Sequence, residues 1–138
     1  MFNQDKTIAF IGAGNMATAL IKGLIAKGFP CANIWAADPN SEQLNLLKAD
    51  SSINVSSDNN DVIQHADIVV LAVKPQLMNE VLEPLQKVLA EKTVLLISIA
   101  AGVSIKTLES LSSTKQAIVR CMPNTPALVE AGASALFA

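Results

Sequence analysis

Charge is scarce in this chain. Asp, Glu, Lys and Arg make up 16% of its 138 residues, well under the roughly one quarter usual in soluble domains. With 51% of the residues apolar, much of the chain must leave water. A sheet buried on both faces achieves that, and so does a partner covering apolar surface; both are expected. Lys and Arg do not cluster, and the net charge is −2 with a pI near 5.3. The basic stripe needed to follow a phosphate backbone is missing, which argues against nucleic acid as a partner. Cysteine is nearly absent: Cys31 and Cys121 match no metal-ligating or redox spacing and read as reduced thiols of a cytoplasmic protein. Apolar runs such as residues 68–73 and 94–101 fall far short of the ~20 residues that cross a bilayer, so no membrane role is expected. Residues 1–6 show no charged-then-apolar leader pattern, so export is not expected. The single histidine, His65 in Gln64-His65-Ala66-Asp67, falls at a predicted helix end. A cation is welcome there, which suits a structural role better than a catalytic one.

What is present is an alternation of short apolar runs with helical patterns, the mark of βαβ units and a parallel sheet. Residues 7–11 predict a first strand and 15–27 a helix, with Ala19, Leu20, Gly23 and Leu24 as its apolar stripe and Gly28 at C′. A second strand, 34–37, runs into Asp38-Pro39-Asn40, where Asn40 and Gln43 are placed as a capping box for a helix over 41–48. A weak strand, 53–55, and a short acidic-headed helix to Ala66 follow. Residues 68–73 form a continuously apolar strand, as expected where helices cover both faces, and Pro75 opens the next helix. Strands over 94–99 and 117–122 flank a helix over 105–111 capped by Ser104. Phe10 and Trp35 read as core. Arg120, inside a strand, reads as half of an ion pair at the sheet edge. Residues 133–138 look like one more strand; an apolar strand makes a poor terminus, so a domain boundary is expected there.

The chemistry-bearing motif is Ile11-Gly12-Ala13-Gly14-Asn15-Met16-Ala17. Gly12 permits a tight turn off the strand, Gly14 lets the backbone approach a pyrophosphate, and Ala17 allows close packing of helix on sheet. The helix's free N–H groups then face an anion. Such a motif is weak alone, because glycines punctuate ordinary turns. Its place between a strand and a helix at the start of a βαβ series strengthens it. An acidic residue is expected about twenty positions on, to meet an adenine ribose; Asp38 stands there, although an Asp before Pro39 also initiates turns. A carboxylate there favours NADH, while Asn40 and Ser41 retain donors for a phosphate, so the sequence leaves NADH or NADPH open.

In an open parallel sheet ligands bind where strands end and the strand order reverses. After the fourth strand comes Ala72-Val73-Lys74-Pro75, with a lysine before a helix start that prefers anions. After the fifth comes Ser98-Ile99-Ala100-Ala101-Gly102-Val103, small enough for a flat group or for tight packing. After the sixth comes Arg120-Cys121-Met122-Pro123-Asn124-Thr125-Pro126-Ala127, a loop stiffened by proline. In it Asn124 offers a donor and an acceptor to a carboxamide, or serves a rigid surface turn.

Together with the glycine motif, these stretches resemble pyrroline-5-carboxylate reductase, in order along essentially the whole chain. The resemblance implies a Rossmann-type, doubly wound α/β fold with a mainly parallel sheet, spanning residues 1–138 as a dinucleotide-binding domain. It implies hydride transfer from NADPH or NADH to the C=N carbon of 1-pyrroline-5-carboxylate, giving L-proline. Gly12, Ala13, Gly14, Asn15, Met16 and Ala17 would hold the diphosphate. Asp38, Asn40 and Asn59 would lie at the adenosine end; Asn59 is a turn or cap residue on its own evidence. Val73, Lys74, Pro75 and Ala100 would line the cofactor's middle, and Met122, Pro123 and Asn124 the nicotinamide. Family members are about twice as long. Their helical carboxyl-terminal half forms the homo-oligomer and carries most substrate-binding residues, so the chain by itself is expected to be nearly inactive. Two alternatives remain: a hydroxyacid or prephenate-type dehydrogenase, or a non-catalytic NAD(P)H-binding sensor.

Overall fold

The computed structural model describes residues 6–91, 94–99 and 117–120. Six strands form one sheet, every pair parallel: β1 (Ile8–Ile11), β2 (Ile34–Ala37), β3 (Asn54–Ser56), β4 (Ile68–Leu71), β5 (Leu95–Ser98) and β6 (Ala117–Arg120). Their order is β3-β2-β1-β4-β5-β6, so the chain winds outward from β1 in both directions. Ile8 pairs with Ile34 on one side and Ile68 on the other. The order therefore reverses between β1 and β4, and a crevice opens beyond their carboxyl ends. This is the doubly wound architecture that the alternating pattern predicts.

The central strands are continuously apolar because period-two side chains serve two different cores. Ile8, Phe10, Ile68, Val70 and Ile97 meet Leu20, Ile21 and Leu24 of α1 (Asn15–Ala26) and Leu44 and Leu47 of α2 (Ser41–Ser51). On the other face Ala9, Ile11, Val69, Leu71 and Leu96 meet Val62 and Ile63 of α3 (Asn59–Gln64). Met78, Leu82, Leu85 and Leu89 cover that face too, from the segment after β4.

That segment is not one helix. A one-turn 3-10 helix, Pro75–Leu77, leads into α4 (Met78–Leu82), a second 3-10 turn (Glu83–Leu85) and α5 (Gln86–Glu91). Pro75 opens it as expected, but Pro84 lacks the N–H that the Glu80 carbonyl would accept, so the α-helical ladder is interrupted there. The buried stripe survives the break. β4 ends two residues earlier than its apolar run. Ala72 N–H still donates to the Ile11 carbonyl at 2.8 Å, after which the chain leaves the sheet with Lys74 extended (φ −62°, ψ 145°), as a residue before proline must be.

Helix ends follow local chemistry. Gly28 (φ 97°) sits at C′ of α1; its N–H donates to the Ile25 carbonyl and that of Phe29 to Leu24, both at 3.0 Å, the paired bonds of a Schellman end. α2 runs three residues further than predicted and stops at Ser52, which is left-handed (φ 61°). The capping box is half made. Asn40 Oδ1 accepts from the N–H groups of Glu42 and Gln43 at 3.1 and 3.2 Å, but the N–H of Asn40 donates to Asp38 Oδ1 instead of to the Gln43 side chain. Phe10 is fully buried, whereas Trp35 is only half-buried, its ring stacked on that of His65 with centroids 4.2 Å apart and planes 3° from parallel. His65 thus ends α3 as a cover for Trp35.

The predicted helix over 105–111, the strand over 133–138, Cys121 and the side chain of Arg120 lie outside the described residues. Among those described, no helix is long and apolar enough to cross a membrane. Gly28→Ala is expected to cost about 1–2 kcal/mol, because an L side chain resists left-handed backbone, while leaving the fold intact. Chemical denaturation with a circular-dichroism readout checks it.

Candidate functional site at the carboxyl edge of the sheet

The turn off β1 is where the fold is tightest. Gly12 has φ 103°, its N–H donates to the Ala37 carbonyl at 2.7 Å, and a Cβ there would sit 2.7 Å from the Ala72 carbonyl oxygen. No other residue fits between β2 and β4 at this point. Gly14 differs in kind. Its backbone is extended (φ −76°, ψ −167°), and a Cβ built on it meets nothing within 4 Å. The fold does not demand glycine here; the space above it is open.

Gly14 is also the N-cap of α1, and no side chain caps that helix, nor does its first turn carry an acidic residue. Its neighbours are treated otherwise: Asn40 caps α2 and Asp58 caps α3. The first-turn N–H groups of a twelve-residue helix thus carry their partial positive charge toward open space.

Asp38, just past β2, binds this turn. Its Oδ2 accepts from the N–H of Ala13 at 2.8 Å and its Oδ1 from the N–H of Asn40 at 2.9 Å. Opposite, Asp58 Oδ1 accepts from the N–H of Asn60 at 2.9 Å, leaving Asn59 as the first residue of α3. The residue read as a cap is therefore not the cap; Asp58 is.

These elements enclose a cavity of about 310 Å³ at the switch point, lined by Gly12, Gly14, Asp38, Asn59, Val73 and Lys74 together with Ile11, Pro39, Ala72, Leu77 and Val81. Six of the residues singled out in the sequence converge there. Ala13 and Ala17 are buried beneath the turn, in the core. Asn15 and Met16 lie in the exposed to half-buried first turn of α1, while Asn40 and Pro75 are exposed and outside the lining. Ala100, Met122, Pro123 and Asn124 fall outside the described residues.

Leu77 and Val81 are the lining residues the sequence pattern does not single out. They stand four apart and off the Met78–Leu82 core stripe, and Leu77 is 42% exposed. A second apolar row beside a complete core stripe was the available signal. Lys74 is exposed, and among the described residues no carboxylate pairs with it. Groups of acidic, His and Cys side chains able to hold a metal do not occur among the described residues.

A larger hollow, of about 420 Å³, lies elsewhere, lined in part by Lys22, Cys31, Asp50 and Ser52, with Lys22 and Asp50 paired at 2.7 Å. It abuts the carboxyl-terminal ends of α1 and α2, where carbonyls repel anions, and has no glycine turn. The smaller cavity is the chemically equipped one.

Gly12→Ala is expected to cost about 3 kcal/mol or more, combining left-handed strain with an overpacked contact. Gly14→Ala should cost under about 1 kcal/mol, as for an ordinary cap change. Denaturant unfolding of both variants checks this, and equal losses would contradict the geometry.

Residues 7–102 match the family described as "NADP oxidoreductase coenzyme F420-dependent". The pyrroline-5-carboxylate reductase of Pseudomonas aeruginosa is 48% identical over 131 residues, covering 95% of this chain and 48% of the relative. That of Haemophilus influenzae is 50% identical over 140 residues, covering 98% and 49%. Among solved structures, the pyrroline-5-carboxylate reductase of Coxiella burnetii superposes with a TM-score of 0.84 at 39% identity, over 90% of this chain and 46% of that one. The Plasmodium falciparum pyrroline carboxylate reductase with NADP bound gives 0.76 at 34%, over 91% and 45%. A prephenate dehydrogenase from A. aeolicus, at 20% identity and 0.73, shares the fold. The chain spans about half the length of the curated relatives it matches. It belongs to the family described as NADP oxidoreductase, coenzyme F420-dependent, and is similar to about half the length of the pyrroline-5-carboxylate reductases it matches.

Proposed function

We propose that residues 1–138 are the dinucleotide-binding domain of a reductase that converts 1-pyrroline-5-carboxylate to L-proline with NADH or NADPH. One observation carries the reading most: Gly12 is required by the fold, whereas Gly14 is free of any structural demand and stands at an uncapped helix start beside the cavity. A Cβ on Gly14 would fill the space a diphosphate needs, so the residues present fit the cofactor. At about 310 Å³ the cavity lies at the small end of ligand sites, roughly 300–1,000 Å³; it suits the adenosine half, with the rest lying along the sheet edge.

On this reading the N–H groups of Asn15, Met16 and Ala17 meet the diphosphate. Ala13 is buried beneath them, and Lys74 adds a cation that no carboxylate pairs with among the described residues. Asp38, Asn40 and Asn59 belong to the adenosine end, where Pro39, Leu77 and Val81 give the cavity its apolar walls. Val73 and Pro75 belong to the cofactor's middle; the resemblance assigns Ala100 to the same part, and Met122, Pro123 and Asn124 to the nicotinamide. A bound nicotinamide dinucleotide supplies the hydride; the chain's own part is binding and orientation. The substrate pocket, the group that protonates the imine nitrogen and the homo-oligomer contacts belong to the half of the relatives that this chain does not match. A cytoplasmic location suits such a biosynthetic step.

Titration with NADH and NADPH, followed by nicotinamide fluorescence, is expected to show saturable binding that Gly14→Ala weakens at least about tenfold without lowering the melting temperature. Binding of neither nucleotide by folded chain would overturn the reading. Supplied with 1-pyrroline-5-carboxylate and cofactor, the chain alone should form no L-proline above background. Turnover matching a complete relative would refute the placement of the substrate groups.

A further inference from the structure

Leu77 lines the cavity yet keeps 42% of its surface in water. Among the described residues only Leu46, on α2 and outside the lining, is another large apolar side chain left so open. Leu77 is nonetheless held in place. Pro75 opens the one-turn helix that carries it, and its N–H donates to the Lys74 carbonyl at 2.9 Å. Val81, further along the same segment, is half-buried, packed against the core on one side and lining the cavity on the other. Across from them stands Pro39, exposed, between Asp38, which accepts from the N–H of Ala13, and Asn40, which caps α2. Backbone contacts therefore set both walls before any ligand arrives.

The polar side chains of the lining lie elsewhere. Asp38 accepts from the N–H groups of Ala13 and Asn40, and Lys74 stands on the diphosphate side. Asn59 begins α3, which follows β3. In the run β3-β2-β1-β4, three strand spacings, about 14 Å, separate the strand that leads to Asn59 from the one that leads to Leu77. Pro39, Leu77 and Val81 carry no side-chain donor or acceptor. Nor is the space between them sealed. With Pro39 and Leu77 exposed, a ring seated there keeps its rim in water, where its polar atoms require no protein partner.

We propose that Leu77 and Val81, facing Pro39, hold the cofactor's purine by its flat faces and leave its polar edge unread, so that the site accepts a hypoxanthine dinucleotide as readily as an adenine one. The turns after β2 and β4 are two strand spacings apart, about 10 Å. That leaves room for one flat ring in ordinary contact, about 3.5–4.0 Å, with each wall. Covering Leu77 removes apolar surface from water whatever substituents the ring bears. A site that reads an edge by hydrogen bonds rejects the wrong group by about ten-thousandfold, because its own buried polar atoms go unpaired; an apolar wall has none to strand. The proposal rests on the dinucleotide-binding reading above and adds which part of the base is recognised.

Titration of the chain with NADH and with reduced nicotinamide hypoxanthine dinucleotide, followed by nicotinamide fluorescence, tests this. The two affinities are expected to agree within about threefold, as for an apolar site that meets a changed polar substituent. Leu77→Ser, at a partly exposed position, should leave the melting temperature unchanged but weaken both ligands alike, by about fivefold or more, since the base loses its apolar wall. Leu77→Met should restore both. Binding of the hypoxanthine form more than about tenfold weaker than that of NADH would overturn the proposal, because the edge would then be read. So would unaltered binding in Leu77→Ser, which would place the base elsewhere. Either failure leaves NADH binding intact, whereas a folded, unaltered chain that binds neither nucleotide would strike the dinucleotide-binding reading itself.

Discussion

At Gly12 three strands are held within one residue's reach. The Gly12 N–H is bonded to the last carbonyl of β2, its φ of 103° turns the chain toward α1, and the carbonyl of Ala72, just past β4, lies where a Cβ would be. Parallel strands exist in this chain only because each crossover returns to the same edge of the sheet. The turn at Gly12 lets the first crossover leave that edge without pushing β2 and β4 apart. The crevice at the switch point, the direction of α1 and the approach of Asp38 to Ala13 all follow from that close contact.

The two glycines of the motif answer to different constraints. Gly12 is bound by contacts with its own protein, whereas Gly14 has open space above it and an uncapped helix behind it. A helix start without a side-chain cap costs the fold some stability, since its N–H groups go without the side-chain oxygen that Asn40 and Asp58 supply to α2 and α3. A site that binds an anion is the ordinary reason for a chain to leave it so.

Much of the fold was legible because its strongest signals are local. The apolar runs of β1 and β4, the Schellman end at Gly28 and the glycine turn each depend on residues close in sequence, and each lies where the pattern placed it. The departures have both local and distant causes. The reciprocal half of the Asn40–Gln43 capping box gave way to Asp38, which reached the Asn40 N–H first. The helix after β4 broke at Pro84, a signal the apolar stripe concealed because the stripe itself runs through. Trp35 looked like core, yet its outer face is closed by the ring of His65, thirty positions away.

By itself, then, the sequence determined the fold class and the position of the glycine turn, since hydrophobic period, glycine spacing and proline act over a few residues. It could not decide that Asp38 reaches the N–H of Ala13, or that Leu77 and Val81 wall the cavity opposite Pro39. Those facts depend on strands brought side by side from 25 to 60 residues apart. Only the tertiary structure could decide them, because a side chain's partner is set by which backbone groups the sheet order carries within 3 Å of it.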